Sequence, residues 1–501
     1  MRTSLKKRAV YWELVAWLGI MLTLSGCAEV KEAGEEAYHL LVMTYDYDGE
    51  PLKGEVGQEI LKQIEEYTNT ELDISWVSSN IYSQKLSTVL TYSKELPEII
   101  TVDGKSAEVL YAARNGKFWE LSEYLDDYKN LALTNSEILD NIKIDGCIYG
   151  VPRCRSLGRI GVGYRKDWAD ALGLDEPKSV ADLEEMILDF TYEDPDGNGV
   201  DDTYGLILSK DPTALDSVMT WFDVPNQWGE DENGELKPSF LFDSYVEAMD
   251  WIRTLYEKGC INEDFIMRDA STWTDDLKNG LGGVISCNAD DIRRVQDELD
   301  FHGQGETIDL VGAIQGADGV RRTLANSGYN GFFVITKSAE TEEDMRKCLE
   351  FLDKMNDPAM LTLTMHGVEG RHYTRNEDGE IVVSKDSELN KEFGGINQLV
   401  SFSDYQYEDE RELNGLYKKQ MEIVKENEKY CIKNPVLPFL HDSDTYMESG
   451  EKLTQMIQDA RIEYIIGAID MDEWKERTEE WRTQGGDQLI LELNELYQNG
   501  K

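Results

Sequence analysis

Histidine is scarce in this chain, and the motifs of several enzyme classes are missing. Only five of the 501 residues are histidine. No His-Glu-x-x-His motif, Gly-x-Ser-x-Gly elbow or Walker-type phosphate loop occurs. His366 and His372 lie six positions apart around two glycines, a spacing that favours a turn over a metal site. With 99 acidic residues and no pair that stands out, a two-carboxylate glycan-active enzyme stays open as an alternative.

Basic residues are only about half as numerous as acidic ones. Lys and Arg number 50 against 99 Asp and Glu, which gives a net charge of −49. Such a surface repels phosphate backbones and anionic headgroups, so nucleic acid is not an expected partner. The acidic residues are spread along the chain and apolar periodicity persists, which indicates a folded protein. The length allows two or more lobes.

Cysteine is too sparse for a disulfide scaffold. The chain has seven cysteines and no Cys-x-x-Cys pair. Cys147 and Cys154 are close enough in sequence to bridge a turn, but buried free thiols are the expectation. The six cysteines that follow the N-terminal segment are Cys147, Cys154, Cys260, Cys287, Cys348 and Cys431.

The longest N-terminal apolar run is too short to span a bilayer. It covers residues 14–24, and a helix needs about 20 apolar residues to cross about 30 Å of hydrocarbon. A basic start precedes it, and Leu24-Ser-Gly-Cys27 ends it, so residues 1–26 are predicted to be a cleaved export signal. The ending resembles a bacterial lipobox, which implies lipidation of Cys27, while an ordinary signal peptide is the alternative. Residues 27–37 would then form a tether.

An Asp-rich loop from Asp194 to Asp202 has the alternating oxygen ligands of an EF-hand calcium loop. Gly199, at position 6, permits the sharp turn. Position 12 departs from the pattern, because it is Gly205 rather than glutamate. A solvated acidic turn is the alternative, since these residue types also form ordinary turns. The predicted ligands are Asp194, Asp196, Asn198 and Asp202 with the carbonyl of Val200.

Strand and helix patterns alternate after the tether, which predicts an α/β fold with a parallel sheet. Ligands of such sheets lie beyond the carboxyl ends of the strands, where Tyr45 and Asp103 stand. The C-terminal third is predicted to be mainly helical. Strands are predicted at 39–45, 72–77 and 96–102, and helices at 54–67, 81–91 and 118–128.

Several ordered motifs together resemble those of extracellular solute-binding lipoproteins of sugar ABC importers. The motifs are Glu95-Leu-Pro-Glu-Ile-Ile100, Asp145-Gly-Cys-Ile-Tyr-Gly-Val-Pro152, Arg165-Lys-Asp-Trp168, the Asp-rich loop, Leu255-Tyr-Glu-Lys-Gly259, Gly367-Val-Glu-Gly-Arg-His-Tyr373 and Tyr464-Ile-Ile-Gly467. The resemblance implies two α/β lobes joined by two or three crossing segments, with the ligand in the cleft between them. It implies a first lobe of residues 38–150 with about 320–395, and a second of 151–319 with about 396–501. In some alginate- and oligosaccharide-binding members, calcium in a loop of this kind is structural.

The same resemblance implies a function and its partners. The expected protein is a monomer on the extracellular face of the bacterial cytoplasmic membrane, held there only by its lipid. It would capture a carbohydrate, an oligosaccharide in the first instance, by hinge closure and deliver it to membrane permease subunits without performing a reaction. A peptide or another polar solute in the same fold is the nearer alternative.

Sugar recognition needs aromatic platforms and polar partners for hydroxyls. Trp221, Trp228 and Trp273 lie in or beside loops, so a platform in the cleft and plain packing are equal alternatives for them. The polar candidates lie at strand ends or at a crossing between lobes. They are Tyr45, Asp103, Arg153 and Asn330.

Overall fold

The chain folds into two α/β lobes, which confirms the predicted fold class, although both sheets contain antiparallel strands and the predicted purely parallel sheet is wrong. The computed structural model describes residues 36–47, 51–384, 386–401, 410, 411, 413 and 415–500. The predicted signal peptide, Cys27 and the tether up to residue 35 therefore lie outside the described residues. Within the described ranges, no helix is long and apolar enough to cross a membrane.

The strands and helices have these bounds in chain order. The strands are β1 (Tyr38–Asp46), β2 (Thr70–Ser78), β3 (Ile99–Val102), β4 (Gly150–Cys154), β5 (Ile160–Arg165), β6 (Tyr204–Ile207), β7 (Trp228–Glu230), β8 (Leu236–Pro238), β9 (Gly282–Asn288), β10 (Ile308–Val311), β11 (Ile314–Gln315), β12 (Arg321–Leu324), β13 (Tyr329–Ile335), β14 (Tyr373–Arg375), β15 (Ile381–Val383) and β16 (Cys431–Ile432). The helices are α1 (Gly54–Thr68), α2 (Tyr82–Tyr92), α3 (Ala107–Arg114), α4 (Ser136–Asn141), α5 (Lys166–Leu172), α6 (Val180–Tyr192), α7 (Pro212–Met219), α8 (Asp243–Glu257), α9 (Asp275–Asn279), α10 (Ala289–Phe301), α11 (Glu342–Lys354), α12 (Pro358–His366), α13 (Ser387–Asn390), α14 (Gly415–Asn427), α15 (Asp444–Ile465), α16 (Met471–Trp481) and α17 (Asp487–Gly500).

Lobe 1 contains a five-stranded sheet in the order β2-β1-β3-β13-β4. Strands β1, β2 and β3 run parallel, and β13 runs antiparallel to both β3 and β4. The four residues of β3 are all buried, as expected for a strand covered on both faces. The carboxyl ends of β1, β2, β3 and β4 therefore share one edge, where the chain also leaves for lobe 2.

Lobe 2 contains a four-stranded sheet in the order β10-β5-β9-β6, in which β9 is parallel to β6 and antiparallel to β5. Helix α6 begins at a capping box formed by Ser179 and Asp182, as the sequence pattern predicts. The C-terminal third is mainly helical, and α15, α16 and α17 bury Leu453, Trp474 and Leu493 in the core of this lobe. The C-terminal helices are thus part of lobe 2.

Three chain segments connect the lobes at a hinge. The first runs from Cys154 to Ile160, and the second from Leu324 to Tyr329. The third lies between Ser401 and the start of α14, and within it Arg411 still pairs with Ile381 of β15. They are joined to each other by backbone bonds: Cys154 N donates to Ser401 O at 2.8 Å, and Asn326 N donates to Leu157 O at 3.0 Å. Beside them, β11, β12 and β16 form a small sheet.

The lobe boundaries differ from the predicted ones by several residues. Strand β4 belongs to the sheet of lobe 1, so the first boundary lies after Cys154 rather than after residue 150. Strand β12 belongs to the hinge sheet, so lobe 1 resumes at Tyr329 and not at about 320. Ile396 and Leu399 are buried in the core of lobe 1, so the last boundary also lies later than 396.

The helix predicted over 118–128 is wrong. Phe118 forms an isolated antiparallel bridge with Thr336, and a short 3₁₀ turn, Leu125–Asp127, follows. Phe118, Leu121 and Leu125 are all buried, so their helix-like spacing reflects burial of an irregular segment. All six described cysteines are free thiols, as expected, and four of them are buried, whereas Cys147 and Cys431 are partly exposed.

Candidate functional site

Four of the predicted ligand-binding residues come together at the carboxyl edge of the lobe 1 sheet. Tyr45 is near the end of β1, Asp103 directly follows β3, Arg153 lies near the end of β4, and Asn330 is the second residue of β13. Asp103 and Asn330 are exposed, whereas Tyr45 and Arg153 are buried. Tyr45 and Asp103 lie at carboxyl ends of parallel strands, as expected, whereas Asn330 reaches the same edge because β13 runs antiparallel to β3. A ligand-binding role for the four residues stays a prediction.

The backbone at Asn330 bulges away from regular pairing with β4. The register shifts between Tyr329 and Phe332, and Gly331 has a φ of 78°. A Cβ on Gly331 would lie 2.3 Å from the carbonyl oxygen of Val102, so this close approach requires glycine. The bulge directs Asn330 to the edge, a recurring use of bulges near binding sites.

Arg153 connects the strands at this edge. Its Nη1 donates to the Asn330 carbonyl oxygen at 3.1 Å, and its Nη2 donates to Oε1 of Gln398. The guanidinium carbon lies 5.8 Å from the centroid of the Tyr45 ring. Burial lowers the pKa of this guanidinium, and the neighbouring tyrosines Tyr47, Tyr45 and Tyr82 act in the opposite direction.

Three tyrosine rings stack beside Arg153. Tyr45 stacks on Tyr82 with ring centroids 3.7 Å apart and on Tyr47 with centroids 5.4 Å apart. Burial raises the pKa of Tyr45, and the nearby Asp103 carboxylate raises it further. Asp103 itself accepts a hydrogen bond from Ser83 at 3.0 Å. The edge therefore offers an aromatic surface next to charged and amide groups.

Sequence reasoning missed three members of this group. Tyr47 is 52% exposed and lies two residues after Tyr45, so the Tyr-Asp-Tyr repeat at a strand end was the available signal. Tyr82 is fully buried and donates to the Thr101 carbonyl oxygen at 2.6 Å. Gln398 lies in an irregular segment distant in sequence, and no pattern marked it.

A groove of about 480 Å³ lies between lobe 1 and helix α15 of lobe 2. Lys105, at its wall, is 5% exposed and donates to the carbonyl oxygens of Leu437, Pro438 and Lys143 at 2.9, 3.1 and 3.2 Å. Burial lowers the pKa of Lys105 to about 8, and Asp442 opposes this shift. The contact joins the lobes. The other residues lining the groove are Ser106, Ala107, His441, Tyr446, Met447, Glu451, Thr454, Gln455 and Gln458.

The three tryptophans proposed as platforms lie in the core of lobe 2. Trp221, Trp228 and Trp273 are 2%, 7% and 8% exposed. Trp221 packs edge-on against Trp251, with ring centroids 6.4 Å apart. A ring needs a free face to stack on a sugar, so this burial favours the packing alternative for all three.

The side chains of the Asp-rich loop converge. Nδ2 of Asn198 donates to Oδ2 of Asp196 at 2.7 Å and to Oδ1 of Asp202 at 3.2 Å, and its Oδ1 accepts from Val200 N at 2.6 Å. Both carboxylate oxygens of Asp194 accept from the backbone N–H of Gly199, at 3.3 and 3.1 Å. Gly199 has a φ of 76°, as the predicted sharp turn requires. This oxygen-rich set has the chemistry that a hard cation such as calcium needs.

His, Cys, Asp and Glu side chains alone would not complete a metal site in this loop. Among the described residues, no group of three or more such side chains is arranged to hold a metal ion. A calcium ion in this loop would depend on the amide oxygen of Asn198 and the carbonyl of Val200 as well as on the carboxylates. The loop joins α6 to β6 and is far in sequence from the carboxyl edge of lobe 1.

Comparison with known proteins identifies the family. A sequence profile for bacterial extracellular solute-binding proteins matches residues 49–359. Lipoprotein LipO of Bacillus subtilis is 37% identical over 88% of this chain and 89% of its own length. The polygalacturonan/rhamnogalacturonan-binding protein YtcQ of the same organism is 31% identical over 97% of this chain and 98% of its own.

A solved structure shows the same fold. It is an EF-hand mutant of the Streptococcus pneumoniae ABC-transporter substrate-binding protein FusA with fructo-nystose. It superimposes with a TM-score of 0.65 at 19% identity, over 92% of this chain and 99% of that one. The profile spans more than half of the chain, and both Bacillus proteins align over most of their length. The chain therefore belongs to the bacterial extracellular solute-binding protein family.

Proposed function

We propose that this protein captures an extracellular oligosaccharide between its lobes and delivers it to the permease subunits of an ABC importer. The observation that carries the proposal is the convergence of Tyr45, Asp103, Arg153 and Asn330 at the edge where the chain crosses between lobes. Exposed amide and carboxylate groups bind sugar hydroxyls, and aromatic rings bind the apolar face of a pyranose. The carbohydrates named for YtcQ and FusA support a sugar as the solute.

Hinge closure is the mechanism that we infer for capture. Three crossing segments connect the lobes, and Lys105 bridges them through carbonyl oxygens of residues 437 and 438. Binding stabilises the closed form because the ligand contacts both lobes only there. No chemical step is part of this function.

Binding is tested with a panel of oligosaccharides. At least one is expected to raise the melting temperature, since a ligand specific for the folded state stabilises it. Replacing Asn330 with alanine should then weaken that ligand about fivefold, because one sugar–amide hydrogen bond contributes about 1 kcal/mol. Titration calorimetry measures both effects. The control is Asn499→Ala, at an exposed site near the end of α17.

Two outcomes would contradict this proposal, and a third would change only the site. If a peptide stabilises the protein and no sugar does, the solute is a peptide rather than an oligosaccharide. New reducing ends after incubation with a glycan would indicate an enzyme. An Asn330→Ala variant with unchanged affinity would remove Asn330 from the site and leave the function intact.

We further propose that calcium binds in the loop Asp194–Asp202 and is structural. The ligands would be Asp194, Asp196, Asn198 and Asp202 with the Val200 carbonyl, and the ion would hold the end of α6 against the start of β6. The converging side chains support this, as does the description of the FusA variant as an EF-hand mutant.

Removal of calcium is expected to lower the melting temperature. A calcium concentration 100-fold above Kd would stabilise the fold by about 2.7 kcal/mol, and chelation would remove that stabilisation. The variant Asp196→Asn should abolish the calcium dependence. Asp201→Asn, which changes an exposed carboxylate at a non-ligand position of the same loop, should keep it. If chelation abolished sugar binding without loss of stability, the ion would belong to the ligand site instead.

We also propose that a lipid on Cys27 anchors the protein to the extracellular face of the bacterial cytoplasmic membrane. The lipobox-like ending of the signal and the lipoprotein LipO support this. The variant Cys27→Ala is expected to appear in the culture medium, while Cys147→Ala stays with the membrane. Immunoblotting of the two fractions measures this, and membrane retention of Cys27→Ala would refute the anchor.

A further inference from the structure

Arg153 differs from the other nearly buried arginines in what balances its charge. Four arginines in the described part of the chain are exposed by less than a tenth: Arg153 at 2%, Arg461 at 4%, Arg322 at 6% and Arg165 at 8%. Arg165 pairs with Asp167 at 2.7 Å, Arg322 pairs with Asp318 at 2.6 Å, and Arg461 pairs with Asp216. For Arg153, no carboxylate of the described residues lies within ion-pair distance.

Among the described residues, the guanidinium of Arg153 has only neutral partners, and they do not use all of its donors. The Asn330 carbonyl, the Gln398 amide and the Tyr47 hydroxyl contact it. Its Nε is buried and has no hydrogen-bond partner. A buried charge without a counter-ion is costly, by several kcal/mol in real proteins. The position therefore has a strong local preference for a negative charge.

Because of where Arg153 lies, a bound ligand can supply the missing negative charge. Arg153 lies at the carboxyl edge of lobe 1, beside Tyr45 and the exposed Asn330. Tyr47, whose hydroxyl interacts with the guanidinium, is 52% exposed, so a ligand carboxylate that takes the place of its phenol would meet the guanidinium. The net charge of −49 does not prevent an anionic ligand from binding here. At physiological salt, screening limits the repulsion from exposed carboxylates to a range of about 8 Å.

We propose that the counter-ion of Arg153 is a carboxylate of the bound solute, so that the solute is an acidic oligosaccharide with uronic acid residues. This proposal rests on the proposed oligosaccharide-binding function. The planar guanidinium donates two parallel hydrogen bonds to a carboxylate, which fixes the orientation of the acidic residue. A neutral sugar at the same place would leave the guanidinium uncompensated.

The test compares acidic oligosaccharides with their methyl esters, which keep the skeleton and remove the charge. Titration calorimetry would use uronate oligomers from pectin, alginate and glucuronoxylan, their esters, and neutral fructan, galactan and mannan oligomers. The tightest ligand is expected to be acidic and to bind at least tenfold more tightly than its ester. A neutral tightest ligand, or equal affinity of acid and ester, would overturn the acidic-solute proposal while leaving oligosaccharide binding intact. Absence of any binding would instead contradict the proposed function.

The variant Arg153→Gln assigns the effect to this residue. It should reduce the preference for acid over ester to less than threefold, because the variant lacks the charge that distinguishes the two ligands. If the variant keeps the full preference, another cation provides it and Arg153 is only a structural connection. If the variant does not fold, the more conservative Arg153→Lys, which keeps the charge and loses the paired donors, should show a reduced but measurable preference for the acid.

Discussion

Replacing Gly205 with alanine is expected to destabilise lobe 2 by about 3 kcal/mol, because overpacking of a rigid contact typically costs 1–3 kcal/mol and can exceed that. A Cβ at this position would lie 2.1 Å from the carbonyl oxygen of Ile187 and 2.6 Å from its Cα. Both atoms belong to the backbone of helix α6, so no side-chain rotation can relieve the contact. The helix and strand would have to separate.

The added Cβ would also loosen the end of the Asp-rich loop, where the loop leads into β6. Gly205 N donates to Thr191 Oγ1 at 3.0 Å, and Thr203 Oγ1 donates to the Phe190 carbonyl oxygen at 2.9 Å. These bonds hold the start of β6 against the end of α6. Gly205→Ala is therefore expected to lower calcium affinity together with stability.

Differential scanning calorimetry with and without calcium measures both effects. Gly415→Ala is the matched control, because a Cβ there meets no atom within 4 Å and its φ is not in the left-handed region. A Gly205→Ala variant with the melting temperature of the control would mean that α6 and β6 are not packed this closely. Loss of stability without loss of calcium affinity would mean that calcium binding does not depend on the packing of β6.

Gly205 also shows what the sequence alone could not explain about the loop. Counting positions gave the ligand pattern and showed the absence of glutamate at position 12, but gave no reason for it. The structure supplies one, because position 12 lies inside β6, where the close approach of Ile187 excludes any side chain. That approach depends on packing between a helix and a strand, which local spacing does not encode.

Residues at strand ends were easier to predict than residues on apolar segments. Alternation of strands and helices implies that the carboxyl ends of the parallel strands share an edge, so the grouping of Tyr45 and Asp103 followed from chain order. Asn330 begins β13, whose antiparallel direction the alternation did not indicate. The tryptophans were different, because a ring near a loop can face either the cleft or the core. Residues 118–128 failed for a related reason: helix-like spacing of apolar residues records burial, and an irregular segment can satisfy it.

Replacing Asn427 with alanine is expected to reduce the free energy of unfolding by about 4 kcal/mol, because buried backbone groups left without partners cost roughly 1–3 kcal/mol each. Asn427 is fully buried at the end of α14. Its Oδ1 accepts from Ala313 N at 2.8 Å, and its Nδ2 donates to the carbonyl oxygens of Gly158 and Ile160 at 3.0 and 2.7 Å. One side chain thus bonds to three backbone groups beside the first hinge segment. The Ile160 carbonyl also accepts from Thr323 Oγ1 at 3.1 Å, so the loss falls mainly on the Gly158 carbonyl and the Ala313 N–H.

Calorimetric unfolding of Asn427→Ala and of Asn499→Ala, the exposed asparagine used above, measures this. A difference below about 1 kcal/mol would mean that water replaces the lost bonds. In the wild type, Gly158 and Gly312 both pack directly on Asn427, and a Cβ on either would lie within 3 Å of it. The site has no space for a water molecule while the side chain is present.

The variant Asn427→Asp distinguishes the hydrogen bonds that this side chain donates from the one that it accepts, because its stability depends on pH. A carboxylate at 427 still accepts from Ala313 N but faces two carbonyl oxygens that it cannot donate to, so its pKa is expected to be raised above the unfolded value. Relative to wild type, the variant should lose stability as pH rises through the unfolded pKa toward the folded one, because the unfolded state then releases its proton first. Its deficit should therefore be smaller at pH 4 than at pH 8. A pH-independent deficit would show that the bonds to Gly158 and Ile160 do not determine the stability of the hinge.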